Sequence, residues 1–304
     1  MIKITVPGKI HLLGEHSVVY GYHALLSPIN LRLTLTLTLY TPNHPNPPNH
    51  PNFLLDLKQI LETEIKEKYQ LKTIPNYSLS FKTDLPIGSG LGTSAALSVA
   101  LSQAILQLLN ITYTLDEIFN LSLKAENYFH GNSSGGDIAA VINQGFTLFK
   151  KQKTPTLPPP LQIKLPEKLN NFYLIDSGRP DESTASMVTL VSLRAKRGNL
   201  VYRNIFEQQD QLTLEMVEVL KNGAVDRLIE IIRQGERNLE EMGVVGKKAQ
   251  EMIREIEEIG GAAKITGGGG IKDGSGMILS YHQNPKSMLE LASKNNWKVI
   301  SIKL

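Results

Sequence analysis

The sequence has no cysteine, which excludes a disulfide framework, a thiol nucleophile and a cysteine-ligated metal cluster, and leaves any catalysis to oxygen and nitrogen groups. It also has little net charge. The 32 Lys and Arg against 29 Asp and Glu give a formal +3, the basic residues are scattered, and aromatics make up only 6%. A basic surface interleaved with aromatics, as nucleic-acid binding requires, is therefore not expected. Long apolar runs are missing too. The most apolar stretch, residues 95–109, falls short of the roughly 20 residues a bilayer span needs and carries Ser98, Ser102 and Gln103. The N-terminus shows no charged-then-apolar leader, so the expectation is a cytoplasmic protein with no membrane partner. What remains is the composition of an ordinary soluble protein. With 304 residues and 41% hydrophobic content the chain can bury a sizeable core. Two domains are expected, residues 1–160 and 161–304, with the Pro-rich stretch 152–160 as the connector.

The most organised stretch is Pro86-Ile87-Gly88-Ser89-Gly90-Leu91-Gly92-Thr93-Ser94. Three glycines at alternate positions let the backbone turn tightly and leave no Cβ atoms between its amides and a bulky anion. Thr93 and Ser94 open an apolar helix just where the glycines stop, so its free N–H groups and positive dipole end would face that anion. Two familiar nucleotide loops are excluded. No lysine lies between Thr83 and Asn110, as the P-loop would need, and the GxGxxG spacing fails because Ala95 stands at the third position after Gly92. A plain strand-to-helix turn remains the alternative.

Three further stretches carry charge where burial is expected. After a strand over 1–6, ended by Pro7-Gly8, the run Lys9-Ile10-His11-Leu12-Leu13-Gly14-Glu15-His16 mixes Lys9, Glu15 and His16 with apolar residues, and buried charges persist only when paired with each other or with a ligand. A structural Lys9–Glu15 pair is the simpler explanation. On the helix over 115–129, at about 100° per residue, Glu126 falls in the middle of the stripe Leu115, Ile118, Phe119, Ala125 and Phe129. A positive partner is required, either a basic side chain or Mg²⁺ held beside nucleotide phosphates. The small polar turn after it delivers Asp137 at the start of another apolar run, either as a helix N-cap or as a functional acid.

Alternating Leu over 31–40 reads as a half-buried strand, followed by a Pro, Asn and His loop over 41–52. A helix over 53–69 and a strand over 77–83 lead to the glycine loop, and a strand over 145–150 returns after Asp137. The second half reads as a strand over 172–176 and an exposed basic loop over 193–203. Helices over 204–220, 225–241 and 247–259 come next, and a β–β–α–β ending includes the glycine loop Gly267-Gly268-Gly269-Gly270.

Pro7-Gly8-Lys9-Ile10…Gly14-Glu15-His16-Ser17-Val18-Val19-Tyr20-Gly21, the glycine loop, and Glu126…His130-Gly131-Asn132-Ser133-Ser134-Gly135-Gly136-Asp137 together resemble the signatures of a small-molecule kinase superfamily. It is the one named for galactokinase, homoserine kinase, mevalonate kinase and phosphomevalonate kinase, and the first and last motifs resemble its mevalonate kinase family. The resemblance implies a two-domain α+β fold, ribosomal-protein-like in its N-terminal half and ferredoxin-like in its C-terminal half, with the active site in the cleft between them. It implies transfer of the ATP γ-phosphate to the 5-hydroxyl of mevalonate, with ATP and Mg²⁺ as cofactors; assembly as a homodimer is left open. By the same resemblance Asp137 is the catalytic acid and Lys9 the lysine beside it. Gly88, Ser89, Gly90, Leu91, Gly92, Thr93 and Ser94 form the phosphate loop. Ser94 and Glu126 are the metal ligands, Glu15, His16, Ser134 and Thr184 face the acceptor, and Ser177 belongs to a matching second-half segment. The irregular stretch after Gly270 leaves open how the second glycine loop packs on the first.

Overall fold

The computed structural model describes residues 1–40, 52–131, 133–272 and 274–304, which fold around two four-stranded sheets. In the first, β2 (His23–Leu39) is the longest strand and pairs antiparallel with all three others: β1 (Ile2–Leu13), β3 (Tyr77–Thr83) and β4 (Thr147–Lys150). The alternation expected over 31–40 is realised, with Leu33, Leu35 and Leu37 buried and Leu39 exposed at the strand end. Pro7-Gly8 does not end β1. A shift of register between Pro7 and Lys9 absorbs the missing N–H as a bulge, and the strand runs on to Leu13.

Helices cover this sheet. α2 (Thr93–Leu108), apolar nearly all round and buried accordingly, packs beside α3 (Leu115–His130), and α1 (Asn52–Tyr69) packs mainly on α3. The chain then turns through α4 (Gly136–Asn143) into β4. A capping box between Thr114 and Glu117 fixes the start of α3. Of the stripe expected on α3, Ile118, Phe119 and Ala125 are buried, but Leu115 in the first turn projects past the packed surface and is exposed. The expected loop over 41–52 lies outside the described residues, except Asn52, which opens α1.

The second sheet has the order β6-β7-β5-β8, from β5 (Phe172–Asp176), β6 (Ala262–Ile265), β7 (Met277–Tyr281) and β8 (Val299–Ile302), with every neighbour antiparallel. Helices α5 (Thr184–Arg197), α6 (Asn199–Asn222), α7 (Val225–Met242) and α8 (Lys247–Glu258) connect β5 to β6, and α9 (Pro285–Lys294) connects β7 to β8. That is a split β-α-β arrangement of the ferredoxin-like kind.

The basic stretch over 193–203 is helical, not a loop. It forms the end of α5 and the start of α6, broken only at Gly198. Arg194, Lys196 and Arg197 occupy the last turn of α5, where cations complement the helix dipole, and Arg194 Nη1 donates to the carbonyls of Met242 (2.9 Å) and Gly243 (3.1 Å) at the end of α7. One large core holds residues of both sheets, among them Leu35, Leu101, Phe172 and Tyr281, and a smaller cluster lies between the second sheet and α5–α8. Among the described residues, no helix is long and apolar enough to cross a membrane.

Candidate active site

The glycine loop between β3 and α2 adopts backbone angles that side chains resist, with φ +75° at Gly88, +86° at Gly90 and +75° at Gly92. Gly92 is the N-cap of α2 and no side chain caps the helix, so its first-turn amides point into the loop. The second glycine loop locks onto the first. A Cβ on Gly90 would stand 2.2 Å from the Thr266 carbonyl oxygen, and one on Gly267 would stand 2.8 Å from Gly90 Cα. Ser89 adds a backbone bond, its carbonyl accepting from Met277 N at 3.2 Å. Gly90 and Gly267 therefore have a packing reason as well as a conformational one.

Lys9 lies beneath this loop, 2% exposed. Its aliphatic stem fills the space a Cβ on Gly92 would take, with Cγ at 2.7 Å from that position. Its ammonium donates to the Gly90 carbonyl at 3.0 Å and pairs with Asp137 Oδ2 at 2.9 Å. Asp137 is not an N-cap. Gly135 caps α4, and Asp137 sits in the first helical turn with its side chain 27% exposed to the cleft. Burial opposes its charge, but Lys9 and a hydrogen bond with His11 outweigh that and hold its pKa well below the usual carboxylate range. His11 Nε2 lies 2.8 Å from Asp137 Oδ1, so the two carboxylate oxygens have separate partners.

The other predicted pair also forms. Ser94 Oγ donates to Glu126 Oε1 at 2.8 Å and Ser98 Oγ to Oε2 at 3.3 Å, which brings a buried carboxylate to the first turn of α2. A carboxylate and a hydroxyl are hard oxygen donors of the kind Mg²⁺ takes when phosphate oxygens and water complete its shell. Among the described residues no three His, Asp or Glu cluster as a metal cage, so such an ion would depend on the nucleotide for ligands.

Of the residues expected to face an acceptor, Glu15 does not pair with Lys9. Its partner is Lys264 of β6, the two being 2% and 0% exposed. His16, at φ +60°, lies 3.1 Å from the Gly268 carbonyl through Nε2, and burial is the main cause that lowers its pKa from 6.5 to about 4, against that bond. Ser134 Oγ accepts from Gly136 N at 3.3 Å ahead of α4. Thr184, the first residue of α5, packs on the second glycine loop, its Oγ1 3.2 Å from where a Cβ on Gly268 would be. Glu15, His16, Ser134 and Thr184 line one cleft of about 990 Å³ together with the loop, Lys9, Asp137 and Glu126. Ser177 does not reach it. Its hydroxyl is buried, donating to Gly276 O at 2.7 Å and accepting from Ser275 N at 3.0 Å, so it pins the second glycine loop from behind.

Sequence reasoning missed three residues here. His11 was hidden by treating Pro7-Gly8 as a strand end, since a strand continuing through Lys9 puts residues 9 and 11 on one face. Lys264 lies 249 residues from Glu15, a separation no local pattern reports. Arg179, whose Nε stands 3.3 Å from where a Cβ on Gly88 would be, places a guanidinium against the first glycine loop and carries no sequence signal beyond following a turn.

Residues 57–145 match the model for the GHMP kinases N terminal domain. A mevalonate kinase from Archaeoglobus fulgidus is 32% identical over 268 residues, covering 88% of this chain and 88% of that one. The crystal structure of the Methanococcus jannaschii mevalonate kinase superposes with a TM-score of 0.78 at 20% identity, covering 100% of this chain and 98% of that one. Streptococcus pneumoniae phosphomevalonate kinase in complex with phosphomevalonate and AMPPNP gives a TM-score of 0.79 at 18% identity, covering 100% and 99%.

Proposed function

The chain belongs to the mevalonate kinase family of the GHMP kinases, and on that premise we propose that it transfers the γ-phosphoryl group of ATP to the 5-hydroxyl of mevalonate with Mg²⁺ as the metal. The observation that carries this is the double engagement of Lys9, whose ammonium bonds both Asp137 and the Gly90 carbonyl of the glycine loop. One cation thus ties the acid that faces the acceptor to the loop that holds the phosphates.

In the proposed reaction the acceptor hydroxyl oxygen bonds to the γ-phosphorus, the bond from that phosphorus to the bridging oxygen of ADP breaks, and the hydroxyl proton passes to Asp137. An acid held so strongly ionised is a weak base. Its part is to orient the hydroxyl and to receive the proton as the new P–O bond forms, which suits a loose transition state in which positioning and charge neutralisation dominate. The uncapped amides of α2 and Lys9 accept negative charge on the transferred group. Ser94 and Glu126 would hold Mg²⁺, whose positive charge would offset that of the nucleotide phosphates. Glu15, His16, Ser134 and Thr184 then line the acceptor side.

The test is ADP release with Mg-ATP and mevalonate, beside Asp137→Asn and beside phosphomevalonate, galactose and homoserine as acceptors. Mevalonate-dependent turnover that falls by roughly 10³-fold or more in Asp137→Asn is expected. Turnover on a different acceptor alone would move the substrate assignment.

A further inference from the structure

His11 stands apart from the roles assigned above. Its ring lies in the cleft beside Asp137, with Nε2 2.8 Å from Oδ1, while Lys9 holds Oδ2. The main chain of His11 is fixed from the other sheet. Its N–H donates to Thr266 Oγ1 at 2.9 Å, and the same hydroxyl donates back to the His11 carbonyl at 3.3 Å. Thr266 is also the residue whose carbonyl closes over Gly90. The ring is therefore anchored at the point where the two glycine loops interlock.

The other ring nitrogen decides what the contact is. His11 Nδ1 is buried with no hydrogen-bond partner. Asp137 is an ionised carboxylate and can only accept, so the ring must donate, and the proton belongs on Nε2. The unpartnered Nδ1 is then a bare lone pair instead of a stranded donor. A carboxylate held by Lys9 alone could still swing about its last torsion, which is broad and roughly two-fold. A second donor on the other oxygen removes that freedom and leaves the remaining lone pairs in a fixed plane.

On the kinase reading above, we propose that His11 is a positioning residue for phosphoryl transfer: its Nε2–H fixes the Asp137 carboxylate in the one orientation that meets the acceptor hydroxyl. It touches Asp137 and not the reacting atoms. Its loss therefore slows the chemical step and leaves substrate affinity alone.

Steady-state kinetics of His11→Leu and His11→Gln test this. Removing the donor in His11→Leu lowers kcat by roughly 10- to 100-fold, the scale of a misplaced catalytic group, with the KM for ATP and acceptor nearly unchanged. Gln carries an N–H at a similar reach and restores most of kcat. An unchanged kcat in His11→Leu, or a Gln variant as slow as the Leu one, overturns the proposal. A second measurement needs no turnover: the imidazole ¹⁵N spectrum of the wild-type protein, with the His11 signals identified by their loss in His11→Gln. A protonated Nε2 is expected, and a proton on Nδ1 alone overturns the proposal even if His11→Leu fails to fold. Wild-type turnover with mevalonate is the control. If another acceptor of the panel is used instead, the substrate assignment falls, and the same variants compared on that acceptor still decide the role of His11.

Discussion

Lys264 and Glu15 form a buried ion pair, the lysine 0% and the glutamate 2% exposed, and it joins β6 of the second sheet to the turn after β1 of the first. Beneath it, Glu236 of α7 accepts from the Ile265 amide at 3.0 Å. Glu15 Oε2 and Glu236 Oε1 are both buried without a hydrogen-bond partner, and the charge of Lys264, which bonds Glu15, also favours the ionised form of Glu236.

Removing that ammonium should cost more than the pair itself contributes. Lys264→Met strands the Glu15 carboxylate in the interior, and breaking a buried pair from one side typically costs about 3–5 kcal/mol. Urea denaturation of Lys264→Met should show a lower midpoint by that measure. The double variant Lys264→Met with Glu15→Leu should recover much of it, because neither charge is then left alone. Equal midpoints for wild type and Lys264→Met would mean that the pair does not hold the sheets together.

Stability should fall as pH rises towards about 8 because of Glu236. Burial is the main cause that raises its pKa from 4.5 to about 8, against the Ile265 amide and the charge of Lys264. A carboxyl raised in the folded state favours folding fully below 4.5, and that contribution is lost as pH rises through about 8. The buried His16 acts in the opposite sense. Lowered from 6.5 to about 4, it favours folding above 6.5 and loses that contribution as pH falls towards 4. Thermal melts should therefore show the wild-type Tm declining between about pH 6.5 and pH 8, with the decline absent in Glu236→Gln. An identical decline in that variant would assign the slope to other groups.

The contact between the two glycine loops should be visible in a matched pair of alanine variants. Gly21 and Gly90 have nearly the same backbone angle, φ +85° and +86°, but a Cβ on Gly21 meets nothing within 4 Å whereas one on Gly90 meets the Thr266 carbonyl at 2.2 Å. Gly21→Ala should lose about 1–3 kcal/mol from backbone strain alone. Gly90→Ala should lose more and also raise the KM for ATP several-fold, because the loop must shift to relieve the overlap. Equal losses with unchanged KM would show that the interlock is slack.

Metal dependence is the readout for Ser94 and Glu126. Glu126→Gln keeps the size of the side chain and an acceptor for Ser94 but removes the charge. The Mg²⁺ concentration giving half-maximal turnover should rise by roughly tenfold or more, with the KM for mevalonate little changed. Chelation with EDTA should abolish wild-type turnover. A Mg²⁺ titration unaltered in Glu126→Gln would remove Glu126 from the metal site.

Features that depend only on neighbours along the chain were legible before folding. The alternating leucines of β2, the glycine spacing before α2, the helical periods of α1, α3 and α6–α8, and the β–β–α–β ending are local patterns, set by side-chain geometry over a few residues, and the fold realises them. The burial of Lys9 and Glu126 was legible for the same reason, since a charge inside an apolar period has to be compensated. Where local signals compete, the tertiary structure decided. Pro7-Gly8 reads as a stop, but pairing with β2 carries β1 through as a bulge and so places His11 beside Lys9. The basic stretch over 193–203 reads as a solvated loop, but α7 offers the carbonyls that Arg194 caps, and helix results. Partners far apart in sequence were decided only by folding. Lys9 could have paired with Glu15 six residues away. It pairs instead with Asp137, and Glu15 with Lys264, because Glu15 lies in the turn beyond the end of β1 and only the packed sheets bring Asp137 to Lys9 and His11 and Lys264 to Glu15.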